Sequence, residues 1–234
     1  MRYIIFFLFI FIFSSLPIFA FQVQPMVSEI QPTGSQSQQT IRVLNNSDKS
    51  LTVEIFALDL LVNKNGKEEL RPNDDDFLII PLTTIIPPGK TQSVIIRYIG
   101  EPVLSESKSY RIAINQVTVD LGEIDGSGIG MALSFKTLLN VVPNNAKSNL
   151  VIKNKEQVDK ETWSVFLENK GNKFIRLSQA KWIVKNKGQV YKLEGQDLSR
   201  ALDGKFLLPN SSRKVFIKIP SKFNAKKSDL EVIL

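Results

Sequence analysis

The sequence predicts an all-β protein of two tandem β-sandwiches, and three observations carry the prediction. Short runs rich in β-branched residues recur along the chain, several with period-two alternation, and turn residues separate them. No stretch of any length from residue 21 to 142 shows the 3.6-residue period of an amphipathic helix. A polar break, Pro143-Asn144-Asn145-Ala146-Lys147, divides the runs into a longer and a shorter set, each near the size of one compact module.

The chain opens with MRYIIFFLFIFIFSSLPIFA, a basic residue, an apolar run and a Ser-Ser-Leu-Pro break ending in Ala20. This reads as a secretory signal peptide cleaved after Ala20, since the run at 3–13 is too short to span a hydrocarbon core of roughly 30 Å. Removing it takes away Arg2 and lowers the formal net charge from +7 to +6. The remaining lysines are scattered among acidic residues without an arginine stripe, so a solvated surface is expected and no nucleic acid.

There is no Cys and no His. An exported fold of this kind rests on hydrophobic cores without disulfide staples, and the commonest metal ligands and general bases are missing. The reading is a protein that is not an enzyme, with no cofactor and no metal. The carboxylate pair Glu123 and Asp125 sits in a glycine-bearing loop with no pocket in prospect.

Taken in order, residues 21–30 form a first strand containing Pro25. Proline cannot donate to a ladder, which predicts an edge position or a strand that changes partners. Residues 40–44 form a second strand, stopped by Asn45-Asn46-Ser47-Asp48, and 51–61 alternate and then run apolar, as in a core strand. Asn65-Gly66 predicts a type I′ hairpin. Asn73-Asp74-Asp75-Asp76 lacks the ligand spacing of a calcium loop and reads as a solvated loop. Residues 77–86 give short strands broken at Pro81, and Pro87-Pro88-Gly89 gives a turn. Strands at 94–99 and 110–119 follow, then the glycine-bearing loop with Gly122, Gly126 and Gly128, then the stretch GIGMALSFKTLLNVVP at 128–143. Seven or more short strands in this space predict an immunoglobulin-like sandwich. Runs at 150–152, 163–168, 174–184, 190–193, 205–208 and 214–219, with turns between them, predict the second.

The final strand of the first set is one-sided. Ile129, Met131, Leu133 and Phe135 are large and apolar, whereas Gly130, Ala132, Ser134 and Lys136 are small or polar. Such a face is either sandwich core or a face lent to another protein.

Four blocks in order, TIRVLNNSDKSLTVEIFALDL at 40–60, PPGKTQSVIIRYIG at 87–100, SYRIAINQV at 109–117 and the alternating strand ending at Pro143, resemble the periplasmic chaperones of bacterial chaperone–usher pilus systems. The pattern around Tyr110-Arg111-Ile112 looks more like the archaic or alternative branches. The resemblance implies two immunoglobulin-like β-sandwich domains in tandem, boomerang-shaped with a cleft between them. The expected layout is a signal peptide at 1–20, a first domain with donor strand at 21–142, a linker at 143–147 and a second domain at 148–234. It further implies a periplasmic chaperone that folds and caps pilin subunits by donor-strand complementation and delivers them to an outer-membrane usher. Self-association through the donor edge is expected of the free protein.

By distance back from the proline, Ile129, Met131 and Leu133 fall on the family's donor side chains, and Phe135 continues the face. The family also anchors the client's terminal carboxylate between two basic residues in the cleft. Here Leu138 occupies the usual lysine position, the first strand has no arginine, and Val142 replaces the usual arginine beside the proline. Lys136, two residues before Leu138 on the same strand face, is one substitute, and Arg111 is the other because a guanidinium pairs bidentately with a carboxylate, with Arg97 in reserve. The alternative reading is an exported structural or adhesive sandwich such as a pilus subunit.

Overall fold

The computed structural model describes residues 21–117 and 132–234. Residues 1–20 and the segment carrying Ile129 and Met131 lie outside the described residues.

The first predicted strand is two strands. β1 (Gln22–Gln24) and β2 (Val27–Ile30) part at Pro25 and join different sheets, the partner change that a residue without an N–H allows. There follow β3 (Gln38–Leu44), β4 (Leu51–Val62), β5 (Glu68–Pro72), β6 (Phe77–Ile80), β7 (Thr83–Ile86), β8 (Thr91–Tyr98), β9 (Lys108–Gln116) and β10 (Ser134–Val141). Among the described residues one sheet has the order β1-β3-β8-β6 and the other β2-β10-β9-β4-β5, with β7 also on β4. Between them lie the inward side chains that period two selects, among them Val43, Val53, Ile55, Val94, Ile96, Ile112, Ile114 and Val141. The rings of Phe77, Tyr98 and Tyr110 meet edge-on at 4.8–5.5 Å from Phe77, a geometry that adds to the burial itself.

The second sandwich contains β11 (Leu150–Gln157), β12 (Thr162–Asn169), β13 (Ile175–Arg176), β14 (Lys181–Asn186), β15 (Gln189–Leu193), β16 (Leu202–Asp203), β17 (Phe206–Leu207), β18 (Ser211–Lys218) and β19 (Asp229–Ile233). Its sheets run β11-β12-β18-β16 and β15-β14-β19, with β13-β17 as a short pair. Trp163 and Trp182 are wholly buried in its core, in line with core strands there. A short helix, α1 (Gly195–Ala201), was not foreseen: it is under two turns long and buries only Leu198, too little to leave a period in the sequence.

The two sandwiches use one device to close a strand. Asn45, just after β3, donates to the carbonyls of Lys49 and Ile86 and accepts from the N–H and hydroxyl of Ser47. Asn169, ending β12, donates to the carbonyls of Lys173 and Leu208 and accepts from the N–H groups of Asn149 and Gly171. Each buried amide thereby uses its full hydrogen-bonding capacity.

The hairpin between β4 and β5 is not type I′. Asn63 Oδ1 accepts from the N–H groups of Asn65 and Lys67, both at 3.0 Å, and Gly66 N–H returns to the Asn63 carbonyl at 2.8 Å. This side-chain turn starts two residues before Asn65, so only Gly66, at φ +84°, needs the left-handed region. The type I′ geometry belongs to Lys187-Gly188, with φ of +45° and +80°, between β14 and β15.

Candidate functional site

β10 is paired along its whole length on one side and along half on the other. Ser134–Val141 run antiparallel to Asn115–Lys108 of β9. On the opposite side β2 runs parallel and covers only Leu138–Val141. The parity of the strand says which backbone groups this leaves open. Gln116 N–H donates to the Leu133 carbonyl, so odd residues turn their backbone groups to β9, and Leu138 N–H donates to the Met26 carbonyl, so even residues turn theirs away from β9. Ser134 and Lys136 therefore direct N–H and C=O at an edge that carries no strand among the described residues. Among the described residues the Lys136 carbonyl is approached only by Arg111 Nη1, at 3.5 Å.

The side chains divide by the same parity. Leu139 and Val141 are core, while Leu133 and Phe135 continue their face and are partly buried against that core. Phe135 meets Phe21 edge-on at 4.7 Å. The apolar face is thus continuous with the sandwich interior at these two positions. Ile129 and Met131 lie outside the described residues.

The even face looks toward the second sandwich. Leu138 packs with Leu60 of the first sandwich and Phe206 of the second, joined at the margin by Val27, Val62, Leu70 and Leu208. Lys136, on the same face, is exposed and enters no salt bridge among the described residues. Arg111 stands opposite Leu138 on β9. Its guanidinium is committed: Nη2 and Nε donate to the two carboxylate oxygens of Glu68, at 2.5 and 3.2 Å, and it lies 5.8 Å from the Phe206 ring centre. The Arg111 side chain is 17% exposed and that of Glu68 33%, so the pair is partly shielded, and its bidentate geometry sets it above a single-point surface bridge. Arg97 does not join them. It sits exposed on β8 in the other sheet, opposite Gln38 and Leu78, on the face turned away from the core.

Three participants escaped the sequence: Glu68, Phe206 and Arg213. Arg213 of β18 lies 5.6 Å from the Phe206 ring centre, so two guanidinium groups, one from each sandwich, meet the same ring. No local pattern marks this cluster: Glu68 and Arg111 lie 43 positions apart within the first sandwich, and Phe206 and Arg213 reach them only where the second sandwich does.

Asp76 is not simply a solvated loop residue. It accepts from the Tyr110 hydroxyl at 2.7 Å and from Asn73 Nδ2 at 3.1 Å, and Asn73 also donates to Asp59 at 2.8 Å. Burial, followed by the Asp76 contact, holds the Tyr110 hydroxyl far above its ordinary value, and burial raises Tyr98 as well. Among the described residues no three His, Cys, Asp or Glu side chains gather as a metal would require, and no helix is long and apolar enough to cross a membrane.

No family model and no curated relative matches the sequence. Solved structures do match. The class 5 fimbriae chaperone CfaA is 14% identical, with 92% of this chain and 99% of that chain covered at a TM-score of 0.58. A chain from the Salmonella enterica complex of SafA pilin with the SafB chaperone is 12% identical, covering 94% and 99% at 0.56. A chain from the CsuC–CsuE chaperone–tip adhesion subunit pre-assembly complex of the archaic chaperone–usher Csu pili of Acinetobacter baumannii is 14% identical, covering 83% and 89% at 0.52. At these identities the likeness is one of architecture, and the chain has the tandem two-sandwich fold seen in solved fimbrial chaperones.

Proposed function

We propose that the protein is a non-enzymatic periplasmic chaperone, exported by residues 1–20, that folds and caps pilin-like subunits by donor-strand complementation and hands them to an outer-membrane usher. The observation that carries the proposal is the open edge at Ser134 and Lys136 beside a half-covered apolar face at Leu133 and Phe135. An incomplete sandwich needs both things that such a strand offers: outward backbone groups for a ladder and alternate large side chains for its exposed core. The shared fold with solved fimbrial chaperones, some of them in complexes with pilin or adhesin subunits, supports the same reading. Ile129 and Met131 extend the donor face by their place in the sequence. We assign residues 21–142 and 148–234 to the two domains.

In this proposal Arg111 and Lys136 receive the client's terminal carboxylate, and Glu68 yields Arg111 to it. The fork of Arg111 already holds one carboxylate bidentately, so exchange of one carboxylate for another keeps its geometry. Arg97 faces elsewhere and is set aside. The test is coexpression with a pilin-like subunit. The parent chain should protect the subunit and copurify with it, and Met131→Asp combined with Leu133→Asp should abolish recovery while the chaperone itself stays folded. Undiminished recovery with the double variant would refute donor-strand complementation.

A further inference from the structure

The turn between β4 and β5 reaches out of the first sandwich and rests on β18 of the second. Lys214 N–H donates to the Lys64 carbonyl at 3.1 Å. Beside it, the Arg213 fork joins the two sandwiches: Nη2 donates to the Gly66 carbonyl at 3.3 Å and Nη1 to the Phe206 carbonyl at 2.9 Å. The guanidinium also passes between two glycines. A Cβ on Gly66 would stand 2.6 Å from Nη2 and 2.7 Å from Nε, and one on Gly204 would stand 3.1 Å from Nε. Both glycines have positive φ, +84° and +93°, and belong to different sandwiches.

The electrostatics of this arginine are unfavourable. Arg213 forms no salt bridge among the described residues, and its Nε is buried with no hydrogen-bond partner. Burial lowers its pKa, opposed by the more distant Asp203 and Glu68. An apolar residue of similar size would avoid the unpaired donor. What only a planar five-donor fork supplies is simultaneous reach to carbonyls of both sandwiches and a face to lay on Phe206.

We propose that Arg213 is a positioning residue, a clamp seated between Gly66 and Gly204 that sets the angle between the sandwiches. The same hairpin leads into Glu68, which holds Arg111, and Arg111 also meets the Phe206 ring. Clamping the turn therefore fixes the whole cleft wall on which Lys136 also lies. The clamp acts in the free protein, so it stands or falls separately from the client reading.

The absence of native cysteine makes the test direct. Spin labels at Asp48→Cys in the first sandwich and Gln189→Cys in the second, both exposed positions, report the distance between the sandwiches in the full mature chain by pulsed EPR. The parent should give one narrow distribution, and Arg213→Ala and Arg213→Lys should each broaden or shift it. Near-UV circular dichroism of the buried Trp163 and Trp182 should remain native. Gly66→Ala should perturb the distance more in the parent, where its methyl also meets the guanidinium, than in the Arg213→Ala background, where only the turn's positive φ opposes it. An unchanged distribution in Arg213→Ala overturns the clamp. So does a Gly66→Ala effect of equal size with and without Arg213, which would locate the effect in the turn's own positive φ. If Arg213→Ala does not fold, Arg213→Lys decides by the same criterion.

Discussion

Proline placed at neighbouring positions of β10 separates binding from folding. Ser134 is exposed, and its N–H points to the open side of the strand, so Ser134→Pro removes a donor that the free protein does not use. The exposed hydroxyl contact to Asn115 is also lost, and together the changes should cost the free chain about 1 kcal/mol or less. A client strand at this edge would lose one ladder bond, worth about 1 kcal/mol, and keep a carbonyl stranded at a cost of about 1–3 kcal/mol. The sum, about 2–4 kcal/mol, corresponds to roughly 30- to 1000-fold weaker binding. One residue on, Phe135→Pro deletes an N–H directed at β9 and a ring packed on Phe21, and should destabilise the first sandwich by about 3 kcal/mol or more. Urea unfolding of each free variant and titration of a client subunit measure the two effects. If Ser134→Pro binds the client as tightly as the parent, the open edge is not the binding edge.

The remaining predictions concern charge and pH. Lys136→Ala should weaken client binding severalfold with an effect that shrinks as salt rises, because the side chain is exposed. Arg111→Ala should cost about 10-fold or more and depend less on salt, because it is shielded and bidentate; calorimetric titration at two ionic strengths distinguishes them. Tyr98 and Tyr110 have folded pKa values raised above the unfolded value near 10. Their contribution is fully present below pH 10 and lost above it, at about 1.4 kcal/mol per pH unit for each tyrosine still protonated in the fold. Urea midpoints should therefore fall between pH 10 and 11 more steeply for the parent than for Tyr110→Phe, and absorbance at 295 nm should show the Tyr110 hydroxyl ionising only on unfolding and the Tyr98 hydroxyl ionising above its ordinary range.

Much of the fold was legible because alternation reports burial directly. The inward residues of β3, β8 and β9 are those that period two selects, and Pro25 marks where the first strand changes sheets. Turn type was less legible: Asn65-Gly66 has the composition of a type I′ hairpin, yet Asn63, two residues earlier, captures the turn with its side chain. At the site, alternation identified the faces of β10 and put Lys136 on the face of Leu138, whereas the place of Arg111 beside that face follows from the register against β9. It could not say which edge of the strand is free, since that depends on register against β9 and on how far β2 extends. Arg213 and Phe206 left no mark because their contacts join residues far apart in sequence; the Arg213 bond to Gly66 spans 147 positions.

The aperture on β10 is governed from the other end of the domain. The parallel ladder stops where Leu138 N–H reaches the Met26 carbonyl. The next carbonyl in that pattern, for Lys136 N–H, belongs to Gln24, which lies instead in the opposite sheet beside Arg42. The point at which the first strand crosses between sheets thus acts as a stop on β10. Moving that crossing two residues toward the N-terminus would close the aperture over Lys136, and moving it the other way would widen it. The length of edge on offer is a property of the opening residues of the domain, independent of the side chains that line β10.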